Sequence, residues 1–238
     1  MKKKKLEILV VEDQNKNLEN CKRAYEPLAE EGLILPHYAT NYKEAKPLID
    51  KVDAGILDLY FPAENGEELI KEFARKYEID SNFHEEVKAN GMYPMGLIIA
   101  DKLAEQGKPS IFVSTIASGH GSHNNPFYPL RYAIDGKKVP KAIKIAWSAC
   151  ENAYGFDGEY GSPAFVSYIL GRLGSMIHGY YRDDIEKIPE VWSASAKAIA
   201  ALLKREDIYN KIKVDELVEK NIERFYKMLV EKNIRKNS

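Results

Sequence analysis

The sequence predicts an α/β protein with a doubly wound parallel sheet of about five strands, followed by an all-helical C-terminal part. Two observations predict this class. Short apolar runs rich in β-branched residues alternate with segments whose apolar residues recur at helical spacing. Beyond about residue 155 the short runs stop and helical spacing alone continues. Alternating strands and helices are typical of a parallel sheet covered by helices on both faces.

Four short apolar runs predict strands of this sheet. Residues 6–11 form a β-branched run that ends at Glu12 and Asp13, which indicates a buried strand with acidic residues at its carboxyl end. The other runs cover residues 33–35, 54–59 and 111–113.

Segments with helical spacing lie between these runs. Apolar positions recur at this spacing over residues 15–31, where Pro27 is expected to kink or shorten the helix and Gly32 to end it. Residues 79–94 are polar and irregular. The other helices predicted before residue 110 cover residues 43–51, 67–77 and 97–105.

The remainder of the chain predicts helices. A Ser-Pro pair at residues 162–163 is a strong helix start, and further helices are expected over 192–203 and 214–229. The apolar face of the last one predicts either core packing or a homodimer interface. We therefore expect a sheet domain over residues 1–155 and a helical extension or small helical domain over residues 156–238.

Composition and charge exclude several classes of protein. The chain has 238 residues and a net charge of -1, and neither half is basic, which makes nucleic-acid binding an unfavoured function. No stretch approaches the ~18 apolar residues of a membrane span. Cys21 and Cys150 lie far apart and predict free thiols in a reducing compartment. We expect a cytoplasmic protein.

Polar side chains follow three of the predicted strands. Glu12 and Asp13 follow the first, Asp58 lies at the end of the run 54–59, and Ser114 follows the run 111–113. Ligands bind outside the carboxyl ends of parallel strands, so these residues are expected to share a site. Clustered carboxylates repel unless a cation lies between them, and such oxygen ligands suit Mg²⁺. A carboxylate beside Mg²⁺ can act as a nucleophile towards phosphorus.

Four segments in this order resemble the receiver domain of two-component response regulators, a flavodoxin-like fold. The resemblance covers residues 6–66 and 96–114. Its segments are Ile8-Leu9-Val10-Val11-Glu12-Asp13, Tyr42-Lys43-Glu44-Ala45, residues 53–62 with Pro62 four positions after Asp58, and Lys108-Pro109-Ser110-Ile111-Phe112-Val113-Ser114.

The resemblance implies a role for each matched residue. Asp58 would accept a phosphoryl group from a histidine kinase or another phosphodonor. Asp13 would bind Mg²⁺ directly and Glu12 through water, and the backbone carbonyl of Tyr60 would be a further ligand. Ser114 would contact the phosphoryl group.

Two features depart from the family pattern. The family has a lysine, usually followed by proline, at the end of a fifth strand, and no lysine here reproduces that pattern. Lys138 is the assigned counterpart, with Lys137 and Lys141 as alternatives. A glycine that begins the helix before the fourth strand has two candidates, in residues 65–69 and 95–99. The spacing between them predicts an insertion near 66–95.

Other interpretations of these residues stay open. His120 and His123 predict a metal pair, a polar loop or a direct role near the phosphoryl group. The chain is a phosphorylated regulator, a degenerate receiver that acts as a binding module, or a phosphatase of the haloacid dehalogenase kind. The last class requires a second aspartate two positions after the first, where this chain has Tyr60.

Overall fold

A computed structural model describes residues 4–78, 83–86, 88, 91–113, 189–216, 219–220 and 222–223. Within these ranges one parallel sheet has the strand order β2-β1-β3-β4. Its strands are β1 (Leu6–Val11), β2 (Ile34–Ala39), β3 (Ala54–Leu57) and β4 (Ser110–Phe112). The α/β class with a parallel sheet is confirmed, and this order fits a flavodoxin-like fold. The fifth strand stays a prediction.

One face of the sheet packs against α1 (Asn15–Glu30) and α6 (Pro189–Leu202). The hydroxyl of Tyr25 donates a hydrogen bond to the carbonyl of Trp192 over 3.1 Å, and both side chains are fully buried. Because successive side chains of a strand point to opposite faces, alternate residues of β1 enter this core. They are Leu6, Ile8 and Val10.

The opposite face packs against α2 (Tyr42–Ala45) and α5 (Met95–Glu105). Two further helices, α3 (Gly66–Tyr77) and α4 (Phe83–Glu86), precede α5 in the chain, and α3 contacts both α4 and α5. The β1 residues in this second core are Leu9 and Val11. Helices therefore cover both faces, as expected of a doubly wound sheet.

Several element bounds differ from the predicted ones. β2 runs from residue 34 to residue 39 rather than over 33–35. α1 continues three residues beyond Pro27, because a proline in the last turn removes only one intrahelical hydrogen bond. The predicted helix over 43–51 is a single α-turn followed by a 3₁₀ turn, Lys46–Leu48.

The described C-terminal residues extend from α6. The Nζ atom of Lys197, a side chain only 3% exposed, donates to the carbonyl of Ile212 over 2.8 Å and to Glu219 over 2.6 Å. These bonds hold the segment after α7 (Glu206–Tyr209) against α6. The predicted domain boundary at residue 155 and the helix start at 162–163 lie outside the described residues, and the all-helical character of the C-terminal part stays a prediction.

The backbone around Gly96 decides which helix connects β3 to β4. α5 leads directly into β4 and contacts both strands. The Gly96 amide donates to the Leu59 carbonyl over 3.0 Å, and a Cβ at Gly96 would lie 2.2 Å from the carbonyl oxygen of Asp58. Of the two glycine candidates, residues 95–99 thus begin the connecting helix. The interpretation of 66–95 as an insertion stays a prediction.

A buried carboxylate joins α3 to α5. Asp101, 4% exposed, accepts hydrogen bonds of 2.6 Å from the Tyr77 hydroxyl and from the Lys76 Nζ. Lys76 also donates to the exposed Glu105. Burial lowers the pKa of Lys76, but these hydrogen bonds outweigh burial and raise it above its ordinary value. The cluster fixes α3 on the connecting helix.

We expect Asp101→Ala to lower the free energy of unfolding by about 2–3 kcal/mol, because it leaves a buried hydroxyl without its charged acceptor. Glu105→Ala removes an exposed partner of the same lysine and should change the free energy by less than about 1 kcal/mol. Urea denaturation of both variants measures the difference. Equal losses would contradict a structural role for the buried carboxylate.

The same cluster predicts a loss of stability at alkaline pH. Burial and the hydrogen bond to Asp101 raise the pKa of Tyr77 from 10.0 to about 12. A raised pKa means that the fold favours the neutral phenol, so its contribution is complete below the unfolded pKa and is lost as the pH rises through the folded pKa. In the wild type the unfolding free energy should decline as the pH rises from 10.0 to about 12. We expect Tyr77→Phe to make this decline less steep, as measured by urea denaturation at successive pH values. An unchanged slope would contradict the assignment.

Candidate functional site

The structure brings Glu12, Asp13 and Asp58 together at the carboxyl ends of β1 and β3. One oxygen from each carboxylate lies within 4.8 Å of the others. Glu12 and Asp58 are buried, and Asp13 is half-buried. From β1 the chain continues to β2 on one side, and β3 pairs with β1 on the other side. The cluster lies between β1 and β3, where the strand order reverses, and doubly wound folds bind ligands at this point.

Strand pairing places these acids at one level. Val11 is the register partner of Leu57, so β1 and β3 end side by side. The Asp58 amide donates to the Val11 carbonyl over 2.8 Å, and the Glu12 amide donates to the Ala39 carbonyl over 3.0 Å. The backbone therefore continues the parallel hydrogen-bonding pattern one residue past each strand and fixes where the carboxylates begin.

The carboxylate of Glu12 is held by the start of α1. Its Oε1 atom accepts hydrogen bonds from the Gln14 amide over 3.1 Å and from the Asn17 Nδ2 over 3.3 Å. Backbone N–H groups at a helix N-terminus lack intrahelical acceptors and carry partial positive charge, so a nearby carboxylate is stabilised. This explains how a glutamate with no exposed surface is accommodated beside two further acids.

Asp58 and the loop after it are held from both sides. The Oδ1 atom of Asp58 accepts the Leu59 amide over 2.6 Å, and the Pro62 carbonyl accepts the Tyr42 amide over 3.1 Å. The Tyr60 side chain is 3% exposed, and burial raises the pKa of its phenol. The role of the Tyr60 carbonyl as a metal ligand stays a prediction.

The donor chemistry of the cluster suits a divalent cation. Three carboxylates in this space repel one another, and a cation shared by all three relieves the repulsion. Mg²⁺ prefers oxygen ligands at about 2.1 Å and usually keeps several bound waters. A separation of up to 4.8 Å accommodates carboxylates bound directly or through such waters. The three acids can therefore hold a metal ion.

Several residues singled out from the sequence lie outside the described residues, so their predicted roles stay predictions. They are Ser114, Lys137, Lys138, Lys141, His120 and His123.

A cleft of about 880 Å³ opens beside the loop that follows Asp58. Its lining mixes acidic, basic and apolar side chains from three segments. The lining residues are Phe61, Pro62, Ala63, Glu64, Gly66, Glu67 and Glu68 in the first segment, Lys88, Gly91, Met92, Tyr93 and Met95 in the second, and Asn41 with Lys43 near the start of α2. The part of the chain that departs from the receiver pattern thus forms one wall of this cleft.

The sequence did not indicate that Asn17 and Gly96 contact the site. Asn17 contacts Glu12, and Gly96 contacts the loop after Asp58. The available indication for Asn17 was its position four residues before Cys21, which places a polar side chain on the buried face of α1. Gly96 was identified as one of two helix starts, but its approach to Asp58 depends on a contact between distant segments.

Comparison of the chain with protein-family models, with curated proteins and with solved structures finds no match. The strand order fits a flavodoxin-like fold, and the acidic cluster resembles a receiver site. Among the described residues, no helix has the length and apolar character that crossing a membrane requires.

We expect Asp58→Asn to stabilise the metal-free protein by about 1–3 kcal/mol, because it removes one of three clustered negative charges. The same change should reduce the stabilisation that Mg²⁺ produces. Thermal unfolding in EDTA and in excess Mg²⁺ measures both effects. Asp50→Asn, which removes an exposed charge elsewhere, should leave the Mg²⁺ effect unchanged. Equal Mg²⁺ effects in the two variants would contradict a shared site.

Proposed function

We propose that this protein is a receiver-like signalling protein that accepts a phosphoryl group on Asp58 in a Mg²⁺-dependent reaction and switches a helical output region. The main support for this proposal is that Glu12, Asp13 and Asp58 lie within 4.8 Å of one another at the carboxyl ends of two neighbouring parallel strands. A site of this kind holds a divalent ion beside a carboxylate nucleophile.

The proposed reaction is a phosphoryl transfer to a carboxylate. Asp13, Glu12 and Asp58 would hold Mg²⁺, which would neutralise charge on the phosphoryl oxygens. A carboxylate oxygen of Asp58 attacks phosphorus, an acyl phosphate bond forms, and the bond from phosphorus to the donor breaks with its electron pair leaving on the donor. Histidine kinases or small acyl phosphates are the proposed donors.

Further residues have roles in this proposal. Ser114 contacts the phosphoryl group, and Lys138, with Lys137 and Lys141 as alternatives, completes the site with a positive charge. The Tyr60 carbonyl is the proposed additional Mg²⁺ ligand. We place this chemistry in the cytoplasm.

The helical region is the proposed output because α1 links it to the site. α1 begins directly after the acidic pair, and Tyr25 of α1 bonds the backbone of Trp192 in α6. Phosphorylation adds about two negative charges at one point, which can bias an element that has two arrangements. A homodimer formed by the C-terminal helices is the proposed assembly.

A haloacid dehalogenase-type phosphatase is less well supported. That chemistry requires an acid two positions after the nucleophile. The residue there is Tyr60, whose side chain is buried and which carries a phenol in place of the required carboxylate. We therefore favour a phosphorylated regulator over a turnover enzyme.

The test is phosphorylation in vitro. We expect acetyl phosphate with Mg²⁺ to add one phosphoryl group to the wild-type chain, detected by intact-mass spectrometry and reversed by hydroxylamine. Beryllofluoride with Mg²⁺ should raise the Tm. Asp58→Asn should abolish both responses, and Asp53→Asn, at the opposite end of β3, should retain them.

Modification that persists in Asp58→Asn would contradict the assignment of the acceptor. Mg²⁺ binding by a wild-type chain that no donor phosphorylates would instead identify a degenerate receiver that acts as a binding module.

A further inference from the structure

We infer that Asn17 is a positioning residue of the cation site, which holds the Glu12 carboxylate so that its Oε1 atom stays bonded to N–H groups and does not bind the ion directly. This inference rests on the proposed function, because it assumes that the acidic cluster binds a divalent cation. It assigns to a residue of α1 the control over whether the second oxygen of Glu12, Oε1, can reach the ion.

The first observation is the geometry of the Asn17 side chain. It is 1% exposed, and its Nδ2 lies 3.3 Å from the Glu12 Oε1 and 3.3 Å from the Gln14 Oε1. A carboxylate oxygen is only an acceptor, so the nitrogen of the amide must face it. The two hydrogens of this nitrogen serve the two acceptors, and the orientation of the amide is fixed.

The second observation is that the same Glu12 oxygen accepts another hydrogen bond. The Gln14 amide donates to Oε1 over 3.1 Å. Each carboxylate oxygen has two lone-pair directions, and N–H groups occupy both directions at Oε1. A cation that took Oε1 directly would have to displace a donor from a buried carboxylate, at the cost of leaving that donor unsatisfied.

The arrangement also selects against rotation of the carboxylate. Gln14 is the N-cap residue of α1, so Glu12 lies at the positive end of a helix of 16 residues. A rotation that moved Oε1 away from α1 would break two hydrogen bonds, one from the Gln14 amide and one from the Asn17 Nδ2. Removal of Asn17 alone should therefore release Glu12 towards the ion while leaving the helix start in place.

A purely structural role for Asn17 predicts something different. If the side chain only stabilises the first turn of α1, its replacement lowers the stability of the protein and leaves the coordination of the ion unchanged. The number of water molecules bound to the ion separates these two roles, because the stability of the helix does not determine it.

The experiment uses Tb³⁺ as the probe ion on the full chain. Luminescence decay rates in H₂O and D₂O give the number of waters bound to Tb³⁺. We expect Asn17→Leu, which has similar size and no donor, to lower this number by about one as the Oε1 atom of Glu12 replaces a water. Asn15→Leu, on the exposed side of the same turn, should match the wild type. An unchanged or higher water count in Asn17→Leu would overturn the inference.

A second variant keeps the test open if Asn17→Leu does not fold. Asn17→Asp preserves the shape of the side chain and points a carboxylate at Glu12. We expect a lower Tm without metal and a larger rise in Tm on adding Mg²⁺ than in the wild type. The same rise as in the wild type would count against a position beside the ion.

The two levels of failure are distinguishable. If the wild-type chain binds neither Tb³⁺ nor Mg²⁺, the proposed function fails and the Asn17 inference fails with it. If the wild type binds both ions and the Asn17 variants reproduce its water count and Mg²⁺ response, only the role of Asn17 is wrong.

Discussion

The parallel pairing of β1 with β3 is the constraint on which the rest of the site depends. Val11 opposite Leu57 makes the two strands end side by side, and the Asp58 amide bonds the Val11 carbonyl one step further. The residues that follow must then lie close together whatever their charge. In this chain those residues are acids, so strand pairing forces negative charges into one small volume.

That concentration of charge explains the local polar contacts. Glu12 accepts two N–H groups at the start of α1, and Asp58 accepts the amide of Leu59. These bonds replace water around buried carboxylates, but they do not cancel the repulsion among three like charges. A cation held between the three acids would cancel that repulsion, so the geometry suits a metal ion at this position.

The helices on either face connect the site to the rest of the molecule. α5 reaches the loop after Asp58 through Gly96, and Asp101 in the same helix holds α3 through two buried hydrogen bonds. On the opposite face α1 starts at the acidic pair and packs against α6. Packed helices therefore extend from the site on both faces of the sheet.

The sequence alone determined the class of the fold and the acids of the site. Strand runs, their alternation with helices, and the positions of Glu12 and Asp58 at strand ends are local properties, which periodicity and residue type express directly. Only the tertiary structure decided that Gly96 begins the connecting helix, that Asn17 faces Glu12, and that α6 lies beside α1. Helical spacing from Cys21 and Tyr25 places Asn17 on the buried face of α1, but it does not say which side chain Asn17 meets there. The other two features depend on contacts between residues distant in the chain, about which local spacing carries no information.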